Sequence, residues 1–133
     1  MIRSDSVRRV LLVLTGLVYA VIAVRALIAP DAVASRLGYV LAAPNGYSEF
    51  HAVYVGVWLA TAALAVLAAV RIRQALLGDV LALFVLAQPA GRVLALARFG
   101  APEGVLLFMF ALELAGGLAL LAARPLHVTN NHD

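Results

Sequence analysis

The chain of 133 residues contains no cysteine. This absence excludes disulfides, thiolate metal sites, iron–sulfur clusters and cysteine nucleophiles. Lysine is also absent, and the arginines are spread through apolar sequence instead of forming a basic patch. A scattered distribution of this kind argues against nucleic-acid binding, in spite of a formal net charge of +3.

Charged residues are scarce, at 13% of the chain, whereas hydrophobic residues make up 65%. A soluble domain has about half apolar and about a quarter charged residues. A small domain in water leaves a large share of its surface exposed, so it could not bury this much apolar side chain. The composition therefore predicts an integral membrane protein, with membrane lipids as its surroundings.

Four apolar stretches are each long enough to cross a bilayer, which takes about 20 residues. They cover approximately residues 10–29, 48–70, 74–99 and 104–123, and none alternates like a β-strand. Short connections make consecutive helices antiparallel neighbours. We therefore expect one all-α, antiparallel four-helix membrane domain over residues 1–133, in which residues 124–133 form a polar tail.

The first apolar stretch also has features of a signal peptide, because Arg8 and Arg9 precede it and Ala32-Val33-Ala34 is typical of a cleavage site. Arg25, however, interrupts the apolar run. We therefore interpret this stretch as a retained membrane span.

The longest connection, residues 30–47, carries two local signals. Its segment PDAVASRLGY predicts a short interfacial helix with Asp31 near the start and Gly38 as a stop signal. The following segment APNGY predicts a turn, because Pro44 fixes φ and Asn45-Gly46 tolerate positive φ. Within the third span, Pro89 predicts a kink, since proline cannot donate a backbone hydrogen bond.

The arginines outside the spans predict the orientation. On the side of the N-terminus lie Arg3, Arg8, Arg9, Arg71, Arg73 and Arg124. The opposite side has mainly Arg36, which Asp31 and Glu103 balance. The positive-inside rule therefore predicts that both termini are cytoplasmic. We expect a multi-pass protein of a bacterial cytoplasmic membrane.

Most ionisable residues of the spans fall in the outer half of the bundle in this orientation. Glu113 lies about nine residues inside the fourth span, or roughly 14 Å deep. A charge at the membrane centre costs at least about 2.5–3.5 kcal/mol, so such groups pair or face water-filled cavities. Because a tight turn joins the third and fourth spans, we expect Arg92 to pair with Glu113. For Asp79, in the inner half, we expect local hydrogen bonding or a pair with Arg71 or Arg73.

These residues predict a polar pocket that opens to the outer leaflet. Arg92 and Glu113 would form its floor, and Gln88 lies one helical turn from Arg92 on the same face. The rim would consist of polar residues at the outer end of the second span, Glu49, His51 and Tyr54. Two alternatives stay open, a purely structural ion pair and arginines that extend to the head groups.

Motifs for catalysis and cofactor binding are absent from the sequence. It has no phosphate-binding glycine loop, no HExxH and no CxxC pair. The single histidine within a span, His51, excludes a bis-histidine haem site inside one chain, and no serine lies deep within a span. We therefore expect no cofactor, no metal site and no catalytic residues.

Two segments resemble a bacterial membrane family known as domain of unknown function 4345. The stretch SEFHAVYVGVWLATAAL resembles the family's N-E-x-R-A-x-Y-G-G opening of the second helix, and GRVLALARFGAPEGVLLFMFALELAGG is similar to its segment across the third and fourth helices. The positions that the resemblance carries over are Glu49, Tyr54, Gly56, Gly91, Arg92, Gly100, Pro102 and Glu113. His51 stands where the family usually has arginine, and Val55 replaces a glycine. That family is distantly similar to DoxX- and DoxD-like four-helix proteins, some of which are linked to quinone-coupled redox complexes.

The sequence leaves three functions open. The first is binding of a lipid or another amphipathic small molecule in the outer pocket, without catalysis. The second is an accessory subunit or homo-oligomer, in which faces of small residues pack against a partner in the membrane. The third follows from the resemblance and is a redox component that handles a quinone. The absence of cysteine and of a haem-ligand pair favours the first two.

Overall fold

A computed structural model describes residues 4–124 of the chain. Within this range the chain forms five helices and no strand: α1, Asp5–Ile28; α2, Pro30–Arg36; α3, Ala43–Val70; α4, Ala75–Phe99; and α5, Val105–Ala122. All but α2 are long and apolar enough to cross a membrane. The predicted all-α architecture with four spans is thus confirmed. The predicted polar tail, apart from Arg124, lies outside the described residues.

The helix bounds differ from the predicted spans mainly at two N-termini. α1 begins at Asp5, whose negative charge in the first turn suits the positive end of the helix dipole. α3 begins at Ala43, so the prediction of a turn at APNGY is wrong, and this segment is the first part of α3. Pro44 is favoured there, because the first helical N–H groups have no partner within the helix.

The predicted short helix between the first two spans is present as α2. It begins with Pro30, and the chain changes direction at Gly38. The φ of Gly38 is +81°, a conformation that glycine adopts without steric cost because it has no Cβ. Ala34 and Leu37 are buried in one cluster with Ala26 of α1 and Phe50 of α3. This cluster fixes α2 across the ends of the two long helices.

The long helices pack as two pairs. α1 packs against α3 and α4 against α5 over most of their lengths, whereas α3 and α4 contact each other less extensively. Gly16 permits the close approach of α1 to α3, since a Cβ at this position would lie only 3.1 Å from the Cβ of Ala65. Leu86 of α4 packs against Gly117 of α5 in the second pair. Small residues of this kind commonly let helices approach closely in membranes.

Two arginines hydrogen-bond to backbone carbonyl groups of other helices at one end of the bundle. We call this end, which carries Asp5 and Arg124, the terminal end. Arg8 is only 2% exposed, and its Nη2 donates a hydrogen bond to the Ala75 carbonyl oxygen at 2.9 Å. The guanidinium fits there because residue 78 is glycine. A Cβ at this position would clash with it. Arg9 Nε donates to the Ala69 carbonyl oxygen at 3.2 Å, where the last carbonyls of α3 lack helical partners.

Asp79 also lies at the terminal end. Its Oδ2 is 2.9 Å from Nε of Arg124, so the predicted pairing with Arg71 or Arg73 is wrong. The close packing of α4 with α5 brings Arg124, two residues beyond the end of α5, to the first turns of α4. The partner of Asp79 therefore comes from across the bundle and not from the nearby turn.

Candidate ligand-binding site

Four polar side chains meet in the middle of the bundle, and we call them the polar layer: Tyr19, Gln88, Arg92 and Glu113. Arg92 of α4 forms an ion pair with Glu113 of α5, as the sequence predicted. One turn earlier on α4, Nε2 of Gln88 donates a hydrogen bond to the Tyr19 hydroxyl of α1. The Tyr19 ring meets Trp58 of α3 edge-on, with 5.6 Å between ring centroids. The layer therefore links all four long helices.

The ion pair is buried on its acidic side. Only 8% of the Glu113 side chain is exposed, against 21% for Arg92. Desolvation offsets much of the attraction within such a pair, but removal of one partner costs about 3–5 kcal/mol because the other charge stays buried. The contact involves Nη1, one nitrogen of a guanidinium group that has five N–H donors. Arg92 can therefore hold Glu113 and donate to another acceptor.

A cavity of about 470 Å³ lies between α3 and α4, and we call it the large cavity. Gln88 and Arg92 line it together with apolar and aromatic residues of three helices, which include Val53, Tyr54, Val57, Trp58, Phe84, Leu106 and Met109. Pockets for small ligands typically measure about 300–1,000 Å³ and combine apolar walls with a few polar groups. Its size and lining are thus those of a small-molecule site.

The wall that α3 contributes is not a regular α-helix. Residues Ala52–Val57 are π-helical. This conformation is rare overall, but where it occurs it is often at a functional site. Val53, Tyr54 and Val57 all line the large cavity from this segment. α4 forms the opposite wall and stays helical through Pro89. Because proline has no backbone N–H, the carbonyl oxygen one turn earlier lacks its helical hydrogen bond. The kink expected at Pro89 stays a prediction.

Aromatic rings lead from the large cavity to the far end of the bundle, the end that carries α2. Tyr54 stacks on Phe50 with 4.6 Å between centroids and meets Trp58 edge-on at 4.9 Å. The Tyr54 hydroxyl donates to the Tyr39 hydroxyl at 3.3 Å. Tyr54 and Trp58 of the cavity lining are thus part of a connected group of rings, which Phe50 and Tyr39 extend toward the far end.

A smaller cavity of about 190 Å³ lies on the other side of the polar layer, between α1, α4 and α5. Tyr19 and Glu113 line it, together with aliphatic residues such as Leu11 and Leu112. Each hydrogen-bonded pair of the polar layer therefore has one member on the large cavity and one on this smaller cavity. The layer separates the two spaces.

The structure brings together four of the six predicted site residues. Gln88, Arg92 and Tyr54 line the large cavity, and Glu113 contacts it only through Arg92. Glu49 and His51 are not among the residues that line either cavity. Glu49 is exposed, and Nδ1 of His51 lies 2.7 Å from the Tyr47 carbonyl oxygen, one turn earlier in the same helix.

Sequence reasoning missed Tyr19 and gave Tyr39 only an interfacial or pocket-lining role. Tyr19 had a detectable signal, because a lone tyrosine inside an apolar span needs a hydrogen-bond partner for its hydroxyl. Tyr39 lies in the connection between α2 and α3 and reaches the site only through the fold. Within residues 4–124, no group of three or more histidine, aspartate or glutamate side chains could hold a metal ion.

The chain matches a family of known sequences. The family model described as "Domain of unknown function (DUF4345)" matches residues 7–123, a range that contains the polar layer and both cavities. No curated protein and no solved structure matches the chain.

Charge reversal tests the ion pair. Arg92→Glu places two carboxylates side by side, and we expect it to lower the stability of the folded protein by about 3–5 kcal/mol. The double variant Arg92→Glu/Glu113→Arg restores opposite charges and should recover a large part of this loss. Arg98→Glu, on an exposed position of the same helix, is the control. The free energy of unfolding is measured in mild detergent for the wild type and these three variants. An Arg92→Glu variant as stable as the control would contradict the pairing.

Proposed function

The chain belongs to the family described as domain of unknown function DUF4345, and from its geometry we propose that it binds an amphipathic small molecule or lipid in the large cavity. The observation that carries this proposal is the large cavity itself, about 470 Å³ between two membrane helices, with Gln88 and Arg92 among its lining. A ligand would enter from the bilayer between α3 and α4.

The polar groups of the large cavity indicate which ligand chemistry fits. Gln88 and Arg92 present N–H donors, so the ligand needs a hydrogen-bond acceptor at that depth. The charge of Arg92 is already balanced by Glu113. A neutral acceptor such as a carbonyl or ester oxygen is therefore sufficient, and an apolar tail would contact Val57 and Phe84.

We propose binding without catalysis. An amide and a guanidinium paired with a carboxylate are neither nucleophiles nor general bases at neutral pH. The quinone-handling role suggested by resemblance is a special case, since a quinone carbonyl is an acceptor of the same kind.

An accessory subunit is the second candidate. Gly56 and Ala60 of α3 are exposed, although small residues in membrane helices commonly lie at helix–helix contacts. A partner helix, from another subunit or from a second copy of this chain, would fit against that face.

Retention of a ligand tests the first proposal against the second. Gly91 lines the large cavity, and a Cβ there meets no heavy atom within 4 Å, so the side chain of Gly91→Leu would begin in open space and occupy part of the cavity. Gly116→Leu is the control, because a Cβ at Gly116 also meets no heavy atom within 4 Å and Gly116 lines the smaller cavity instead. We expect native mass spectrometry of gently extracted protein to show one bound small molecule or lipid in the wild type and the control. In Gly91→Leu the affinity for it should fall at least about tenfold, a loss of about 1.4 kcal/mol.

Equal retention by Gly91→Leu and Gly116→Leu would contradict the large cavity as the site. A stable assembly with another protein and no retained small molecule would instead support the accessory subunit.

We further propose that the terminal end faces the cytoplasm in a bacterial cytoplasmic membrane, because most arginines outside the spans lie at that end. The chain has no cysteine, so single cysteines report their own accessibility. Ser35→Cys, exposed at the far end, should react with a membrane-impermeant maleimide in intact cells. Gln74→Cys, exposed at the terminal end, should react only after permeabilisation. The reverse pattern would contradict this orientation.

A further inference from the structure

A third cavity lies at the far end, between α1, α2 and α5, and has a volume of about 190 Å³. Arg25, in the last turn of α1, and Arg36, in the last turn of α2, both line it. The other lining residues are apolar and include Ile22, Val33, Val105 and Met109. We call this space the far-end groove.

The far-end groove is positively charged. The ion pairs within residues 4–124 are Arg92 with Glu113 and Arg124 with Asp79, so neither arginine of the groove takes part in one. Asp31, at the start of α2, instead accepts a hydrogen bond from the Tyr47 hydroxyl at 2.7 Å. Two guanidinium groups thus share a groove without a carboxylate partner. Guanidinium matches phosphate well, because its N–H groups can bind two phosphate oxygens at once.

We propose that the far-end groove binds the phosphate head group of a lipid with a net negative charge. The apolar walls favour a lipid over a free anion, because methylene groups next to the head would contact Ile22 and Val105. The volume suits a head group, and the acyl chains would stay in the bilayer. This site is additional to the large cavity, with which it shares the lining residues Leu37, Trp58 and Met109.

A simpler account exists for both arginines. Cations are favoured at helix C-termini, and long arginine side chains commonly reach for head groups at membrane surfaces. That account predicts only a general attraction of anionic lipids, with the same effect for any arginine at this end. Arg98 supplies the comparison, since it is exposed in the last turn of α4, beside Phe99, and does not line the groove.

Lipid competition provides the test. The full chain is purified in detergent and mixed with equal amounts of phosphatidylglycerol and phosphatidylcholine, and bound lipid is counted by native mass spectrometry. We expect one phosphatidylglycerol to be retained at least about fivefold over phosphatidylcholine, which corresponds to roughly 1 kcal/mol per arginine near a charged lipid. Arg25→Gln and Arg36→Gln should each lower its retention about fivefold. Arg98→Gln should leave it unchanged.

Three results would overturn the proposal. Equal retention of the two lipids by the wild type would remove the preference for a net anionic lipid, whatever the variants do. An equal loss in Arg98→Gln would reduce the effect to general surface charge. Displacement of the bound lipid by excess inorganic phosphate would make the groove an anion site and not a lipid site.

Discussion

The contact between Arg92 and Glu113 is the constraint on which the middle of this bundle depends. Two opposite charges on neighbouring helices in apolar surroundings must meet, because either one alone would be costly in the membrane. Their contact fixes how α4 and α5 are rotated against each other. With that rotation, Gln88 faces α1 and meets Tyr19, and the Tyr19 ring in turn meets Trp58 of α3. One obligatory pair thus aligns residues from all four long helices.

The same arrangement produces the space beside it. The close pairs α1–α3 and α4–α5 leave a looser boundary between α3 and α4, where the π-helical segment and Pro89 both depart from regular helical hydrogen bonding. The polar layer forms one side of the resulting large cavity and supplies its N–H donors. Structural pairing and ligand binding are therefore compatible roles for Arg92, since Glu113 occupies only part of its hydrogen-bonding capacity.

Composition was sufficient to predict the four spans, and the cost of buried charge was sufficient to predict the pair Arg92–Glu113. The rotation of each helix about its own axis was harder to predict from the sequence. A helix that is apolar on every face has little periodicity to indicate which face is buried. Arg8 therefore gave no sign that it would be buried. Glu49 and His51, which the sequence placed at the rim of the pocket, line neither the large nor the smaller cavity. They precede the π-helical segment, and one inserted residue rotates the preceding helix by about 100°.

Photo-cross-linking in the native membrane tests the central claim, occupancy of the large cavity, most directly. A photoreactive amino acid at Ala87, which lines that cavity, is compared with one at Val93, exposed on a different face of α4. A single discrete adduct from position 87, against a mixture of bulk lipids from position 93, is the predicted result. The same mixture of bulk lipids from both positions would contradict a specific ligand in the cavity.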